Sequence, residues 1–386
     1  MLIREYPAES EFANVLISLF VAVALFLKQF YFGVSGTLQM GDIVLLFAAF
    51  LCVKKNGIAI EEEDKPLLVF LFFVVIINAL HSMVEGTFYT SSIFWIFNFI
   101  IIALLFRTML QVDGFLESVR FAFRAVLITQ LLIYIVGGGW IEYGRYFGTF
   151  NDPNQFGFYV LCSMMGQYAI DVIQKKNTNW LWIILAFFEI TLSQSSGMLL
   201  GIVLFLTAYL FVATAQDNGM RRIYLFLLVC VCMGVVIFVF GNHIIELLLS
   251  LDNEALNRKL PRFTSDGYLN SYLKDRVIQR TVKAPWNFIY GSGEGNDVRF
   301  RMAEGFGKDA VFVNEMHSTM LALPFCYGIF PFCFMLLWLY YNLRNVNHRI
   351  FPVYFALILE AFTLANHRQY VFWFLFMLAA HRDAKE

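Results

Sequence analysis

Apolar runs separated by short polar connections occupy most of the chain, and this pattern sets the architecture before any single residue is considered. A helix crosses the hydrocarbon core with about 20 apolar residues, and shorter runs manage it when polar flanks reach the interface. On that basis spans are predicted near 12–32, 39–53, 66–84, 92–110, 121–140, 154–173, 180–194, 197–214, 222–241, 318–341, 350–366 and 369–381. The expected fold class is an all-α polytopic membrane protein of about 12 transmembrane helices, a single membrane domain over residues 1–386. Residues 241–317 form its one long polar interval, a large loop between the ninth and tenth spans. The run Phe12 to Leu27 is followed by Lys28 and the aromatics Phe30, Tyr31 and Phe32, with no small-residue cleavage site, so it reads as a retained first span. No inverted pair of similar halves is visible along the chain.

The loop has its own pattern. Between 243 and 260, Ile244, Ile245, Leu247, Leu248, Leu251 and Leu256 are interleaved with Glu246, Asp252, Glu254 and Arg258, which predicts a helix lying in the interface. From 270 to 283 a second helix would put Arg276, Arg280 and Lys283 on one face, with Pro285 ending it. The cluster Gly291-Ser292-Gly293-Glu294-Gly295 then offers a flexible backbone capable of close approach before the chain re-enters the membrane at His317.

Composition agrees with the pattern: 59% of residues are hydrophobic and 15% charged, against roughly a quarter charged in soluble domains. The net charge of −1 supplies no basic excess for nucleic acid. The placement of the charges is more informative. With the N-terminus inside, fifteen of the 28 Lys and Arg fall in predicted cytoplasmic segments, ten in the long loop, and only Lys28, Arg145 and Arg368 in short outer connections. The positive-inside bias therefore predicts cytoplasmic termini and a large loop on the outside.

All six cysteines lie in or at the ends of apolar segments, which excludes a disulfide framework in the loop and leaves them as small hydrophobes. No H-x-x-x-H or calcium-loop spacing occurs, and the glycine cluster lacks the Lys-Ser/Thr of a P-loop, so neither metal nor nucleotide cofactor is expected.

Candidate chemistry concentrates on the predicted outer face. Arg145, Arg276, Arg280 and Arg368 run against the charge bias, and guanidinium forks suit the paired oxygens of a phosphate or diphosphate. Arg145 leads into Gly148-Thr149-Phe150-Asn151-Asp152-Pro153-Asn154, where Asn151 or Asp152 can cap a span beginning at Pro153 and the helix N-terminus favours an anion. His317, beside Ser318 at the mouth of the tenth span, can exchange a proton or pair with phosphate, and His367-Arg368 forms a second such pair. Glu189 and Glu360 lie within spans, where ionisable groups are costly and face cavities.

Three of these places together resemble the O-antigen polymerase and O-antigen ligase superfamily of bacterial envelope polysaccharide enzymes (Wzy-like and WaaL-like). Arg145-Tyr-Phe-Gly-Thr-Phe-Asn-Asp-Pro-Asn is similar to the family's Arg, Gly-Thr-Phe and Asn-Pro-Asn stretch. Arg276 or Arg280 followed by Tyr290-Gly291-Ser292-Gly293 resembles its arginine and Gly-x-Gly turn. His317-Ser318-x-x-Leu321 with Gly328-Ile329 resembles the signature that closes its outer loop. The likeness covers about residues 140–340, and Ser195-Ser196-Gly197 departs from the family's frequent Ser-Arg-Gly.

The resemblance implies a metal-independent, inverting glycosyltransferase of the membrane-embedded C type in the bacterial inner membrane, acting on undecaprenyl-diphosphate-linked glycan at its outer face. It assigns Arg145 and Arg276 or Arg280 to the diphosphate, with Arg368 as a further candidate, and His317 to the acceptor hydroxyl or the phosphate. Asn151, Asn154, Gly291, Gly293 and Ser318 are its candidate substrate contacts. The lipid bilayer and the lipid-linked glycan are the implied partners, and there is room for a chain-length regulator. A polymerase is the favoured reading. A ligase transferring polymer to lipid A-core is the alternative, and a flippase or other transporter is the alternative outside the class.

Overall fold

The computed structural model describes residues 8–31, 39–85, 89–142, 144–213, 220–232, 250, 285–294, 316, 318–344 and 346–378. Within them the chain is mostly helical. Helices α1 (Ala8–Leu27), α2 (Met40–Asn56), α3 (Lys65–Glu85), α4 (Ser91–Met109) and α5 (Phe115–Ile135) are followed by a two-stranded hairpin, β1 (Trp140–Glu142) and β2 (Arg145–Gly148). Then come α6 (Pro153–Ile173), α7 (Trp180–Ser193), α8 (Ser196–Ala208) and α9 over 220–232. After the loop stand α10 (Asn287–Tyr290), α11 (Thr319–Tyr327), α12 (Ile329–Leu343), α13 (Phe351–Ala361) and α14 (Tyr370–Leu378).

Among the described residues four helices are long and apolar enough to cross a membrane: Glu62–Val84, Ser91–Met109, Phe115–Ile135 and Pro153–Ile173. Shorter apolar helices occupy Glu11–Leu27, Trp180–Ser193, Ser196–Val212 and Ile329–Leu343. Phe12, Phe50, Phe72, Phe121, Ile184, Leu200 and Leu228 point outward, an apolar exterior that suits lipid. The two predicted loop helices, and His317, Arg276 and Arg280, lie outside the described residues.

Two predicted spans are corrected by glycine. The fifth was expected to reach 140, but α5 stops at Ile135 because Gly137 and Gly139 take positive φ of 72° and 87°, and Trp140 and Ile141 pair into the hairpin instead. The tenth was expected as one run, yet it breaks at Gly328, φ 82°, where a Cβ would stand 2.7 Å from the Ile289 carbonyl oxygen. That glycine turns the chain and lets α10 approach.

Helices α6 and α14 form the centre. Every residue from Phe156 to Asp171 and from Tyr370 to Leu378 is buried, so neither helix has a polar face to spare. Gly166 permits their crossing with α5: a Cβ there would lie 2.4 Å from the Phe123 ring and 3.2 Å from Leu375. Gly166→Ala is therefore expected to destabilise by about 1–3 kcal/mol through overpacking, read as a lower Tm of the detergent-solubilised protein.

Ion pairs tie the helix ends. At one end Asp64 receives the Arg107 fork, with Nε and Nη2 each at 2.7 Å, and also the Trp338 indole N–H at 2.8 Å, while Arg107 reaches Asn342 as well. The opposite end carries the residues of interest.

Candidate functional site

The hairpin is built onto the bundle by the Gly-Thr-Phe stretch. Gly148 (φ 58°) has no room for a side chain, since a Cβ would fall 1.9 Å from Gln130 Oε1. Thr149 ties the hairpin to the bundle through its hydroxyl and its carbonyl. Its hydroxyl donates to the Gln29 carbonyl at 2.7 Å and accepts from Gln130 Nε2 at 2.8 Å, and its carbonyl accepts the Tyr31 N–H at 2.9 Å. Phe150 is buried against Phe156 and Tyr159. All three residues are explained by packing, and they hold the adjacent Arg145 in place.

Asp152 caps α6, accepting the Asn154 and Gln155 N–H groups at 2.7 and 3.2 Å, with Pro153 in the first turn. Asn151 is exposed beside it. The ordered cap aims Asn154, whose Oδ1 accepts both Arg145 Nη2 at 3.0 Å and the Ser195 hydroxyl at 2.9 Å. Arg145 Nε donates to the Ser193 carbonyl at 3.1 Å, and Gln194 Nε2 donates to the Gly144 carbonyl at 3.0 Å. Asp152→Ala should cost about 1 kcal/mol and loosen this arrangement, seen as a Tm drop and faster amide exchange at Asn154 and Gln155.

The half-buried Arg145 is thus positioned by two neutral oxygens. Among the described residues no carboxylate stands within ion-pairing distance of it, and the groups that orient its charge there are neutral. The N-termini of α6 and α8 flank it, adding the positive ends of two helix dipoles. Its neighbour Tyr146 turns inward against Tyr134 and Phe156, and burial pushes its phenol up to about 12.

Arg368 has a different environment. Its Nε donates to Glu294 Oε1 at 2.7 Å and its Nη2 also reaches that oxygen. His367 Nε2 lies 3.1 Å from the same atom, and the Tyr327 hydroxyl donates to Glu294 Oε2 at 2.6 Å. The Glu294 backbone N–H donates to Asn78 Oδ1 at 2.9 Å, and Ser91 donates to its carbonyl. Trp95 stacks on the His367 ring, while Trp373 and Asn98 donate to the His367 carbonyl. Burial alone would push the Glu294 carboxyl up, but Arg368 and then His367, with the hydrogen bonds, hold it well below the usual carboxylate range.

The glycine cluster docks this carboxylate. Ser292 and Gly293 donate backbone N–H bonds to the Phe325 and Cys326 carbonyls, and His81 Nε2 meets the Gly291 carbonyl at 3.1 Å. A Cβ at Gly291 would stand 2.6 Å from the Cys326 carbonyl oxygen, and one at Gly293 2.6 Å from the Tyr89 ring. Close approach is therefore the role of both glycines here, against the protein's own backbone and rings. Ser318, fully buried, caps α11 by accepting the Leu321 N–H. Glu360 accepts from Asn366 Nδ2, and Asn366 N–H donates to Thr319 Oγ1 at 2.8 Å.

The arrangement joins Arg145, Asn154 and Ser195 in one cluster and Glu294, His367 and Arg368 in another. The two are bridged where Gly197 lies against Thr363 and Leu364. Sequence reasoning missed Glu294, although an acidic residue between glycines in a loop facing an outer arginine was a usable signal. Among the described residues no group of three or more His, Cys, Asp or Glu could hold a metal ion. Comparison of the chain with protein-family models, curated proteins and solved structures finds no match.

Proposed function

We propose that this protein spans the bacterial inner membrane with about 12 helices, in the manner of a C-type glycosyltransferase, and polymerises undecaprenyl-diphosphate-linked repeat units at the outer face. The observation that carries the reading is Arg145: a guanidinium held rigid by Asn154 and Ser193, beside two helix N-termini, with no described carboxylate to neutralise it. Such a group suits a diphosphate. As the acceptor hydroxyl oxygen bonds to the anomeric carbon and the C–O bond to diphosphate breaks, the electron pair moves onto the leaving diphosphate. A preorganised cation stabilises that growing charge without a metal. The hydroxyl proton passes to a base, the role proposed for His317, and Arg276 or Arg280 joins Arg145 on the diphosphate. Arg368, engaged by Glu294, acts in this reading by securing the loop rather than by meeting substrate.

The test is the surface-glycan pattern of a bacterial deletion strain complemented with the wild-type gene. Loss of the ladder to a single repeat unit on the core, restored by complementation, supports a polymerase. Polymer accumulating on undecaprenyl diphosphate would instead identify a ligase, and lipid-linked single units held on the cytoplasmic side would identify a flippase.

A further inference from the structure

Six carboxylates are buried in the described residues: Asp42, Asp64, Asp171, Glu189, Glu294 and Glu360. Five have a donor: Lys28 for Asp42, Arg107 for Asp64, Arg120 for Asp171, Arg368 for Glu294 and Asn366 for Glu360. Glu189 differs, for it is 1% exposed and neither of its oxygens has a hydrogen-bond partner. An ionised carboxylate so placed would carry an uncompensated desolvation cost, which the neutral acid avoids.

Its surroundings are specific. Glu189 lies one helical turn before Ser193, the residue whose carbonyl anchors Arg145. Tyr134 packs on Phe188, the residue preceding Glu189, at 5.8 Å and on Tyr146 at 5.2 Å. Tyr146 Oη and Gln130 Oε1 are also buried without partners, and both border Gly148, whose Cβ position is 3.5 and 1.9 Å from them. Tyr146 and Gln130 thus share unmet hydrogen-bonding capacity behind the hairpin, and Glu189, an electrostatic neighbour of Tyr146, adds two unmatched oxygens.

Among the described residues, the elements packed against α7 bring these titratable groups. The hairpin has Arg145, Tyr146 and the exposed Glu142, and α5 has Tyr134, Arg124 over the Trp182 ring, and Arg120 paired with Glu117. On α6, Tyr159 donates to the Leu25 carbonyl, Tyr168 to the Arg349 carbonyl, Asp171 pairs with Arg120, and Cys162 lies toward Glu360. Helix α8 contributes no titratable side chain.

We propose that Glu189 is a proton-binding site, a neutral carboxylic acid behind the Arg145 hairpin, and that on losing its proton to solvent it takes the Tyr146 hydroxyl as its donor. Because Tyr146 and Arg145 are consecutive in one strand, proton release at Glu189 is coupled to the seating of the arginine. This coupling is independent of which reaction Arg145 serves.

Infrared difference spectroscopy of the full-length protein in lipid nanodiscs tests it directly. At neutral pH the wild type should show a carboxylic-acid C=O band that the isosteric Glu189→Gln variant lacks. Raising the pH should remove that band together with a change in a tyrosine ring mode, and Tyr146→Phe should abolish the tyrosine change while keeping the acid band. If Glu189→Gln instead removes only carboxylate bands at neutral pH, the proton site is overturned. If the acid band titrates with no tyrosine response, the coupling to the hairpin is overturned.

Discussion

Arg145→Ala is expected to abolish chain extension while leaving the protein in the membrane at wild-type level. Loss of a single preorganised group from a developing oxyanion typically lowers turnover by roughly 100- to 1000-fold. On the proposed reaction that range applies because the guanidinium is held in advance by Asn154 Oδ1 and the Ser193 carbonyl, and neither cancels its charge. Arg145→Lys should rescue little, since an ammonium cannot keep both anchors and still present a fork to paired oxygens. Immunoblotting of membranes and the surface-glycan ladder check both variants. A full-length ladder from Arg145→Ala would remove the arginine from the mechanism.

The largest structural effect is expected at Glu294. Glu294→Ala removes the carboxylate that Arg368, His367 and Tyr327 share, and breaking such a buried pair typically costs roughly 3–5 kcal/mol. It should also free the 291–294 turn, measured as a lower Tm and faster proteolysis within the loop. The pH dependence has a definite sign. The folded-state carboxyl is depressed, so its contribution is present above the unfolded value of about 4.3 and is lost as pH falls through the folded value. The Tm gap between wild type and Glu294→Gln should therefore persist from about pH 8 to pH 5 and shrink only in stronger acid. A gap that closes near neutrality would show that Arg368 does not hold this carboxylate.

Hydropathy made the helical segments legible, because an apolar run in a lipid-facing bundle has few alternatives to helix. A capped helix start at Pro153 was legible too, with Asn151 and Asp152 both open as the acceptor, and the structure uses Asp152. The hairpin was not. Trp140 and Ile141 continue the apolar run of the fifth predicted span, and only the Gly137–Gly139 conformations separate them from it.

The same limit applies to the site. Gly291 and Gly293 signalled close approach, but their partners, the Cys326 carbonyl and the Tyr89 ring, come from distant segments. Glu294 and Arg368 are 74 residues apart, so no local pattern could pair them. Arg145 could be singled out from its charge and position, whereas its anchoring by Ser193 depends on how α7 ends, at a left-handed Gln194 with φ 49°.

The measurement that tests the central claim most directly uses purified protein in proteoliposomes with undecaprenyl-diphosphate-linked repeat units and excess chelator. Glycans of increasing length, with free undecaprenyl diphosphate released one per linkage and undiminished by the chelator, are the predicted result. Unchanged repeat units under conditions where the protein is folded, or extension that stops when metal is removed, would contradict it.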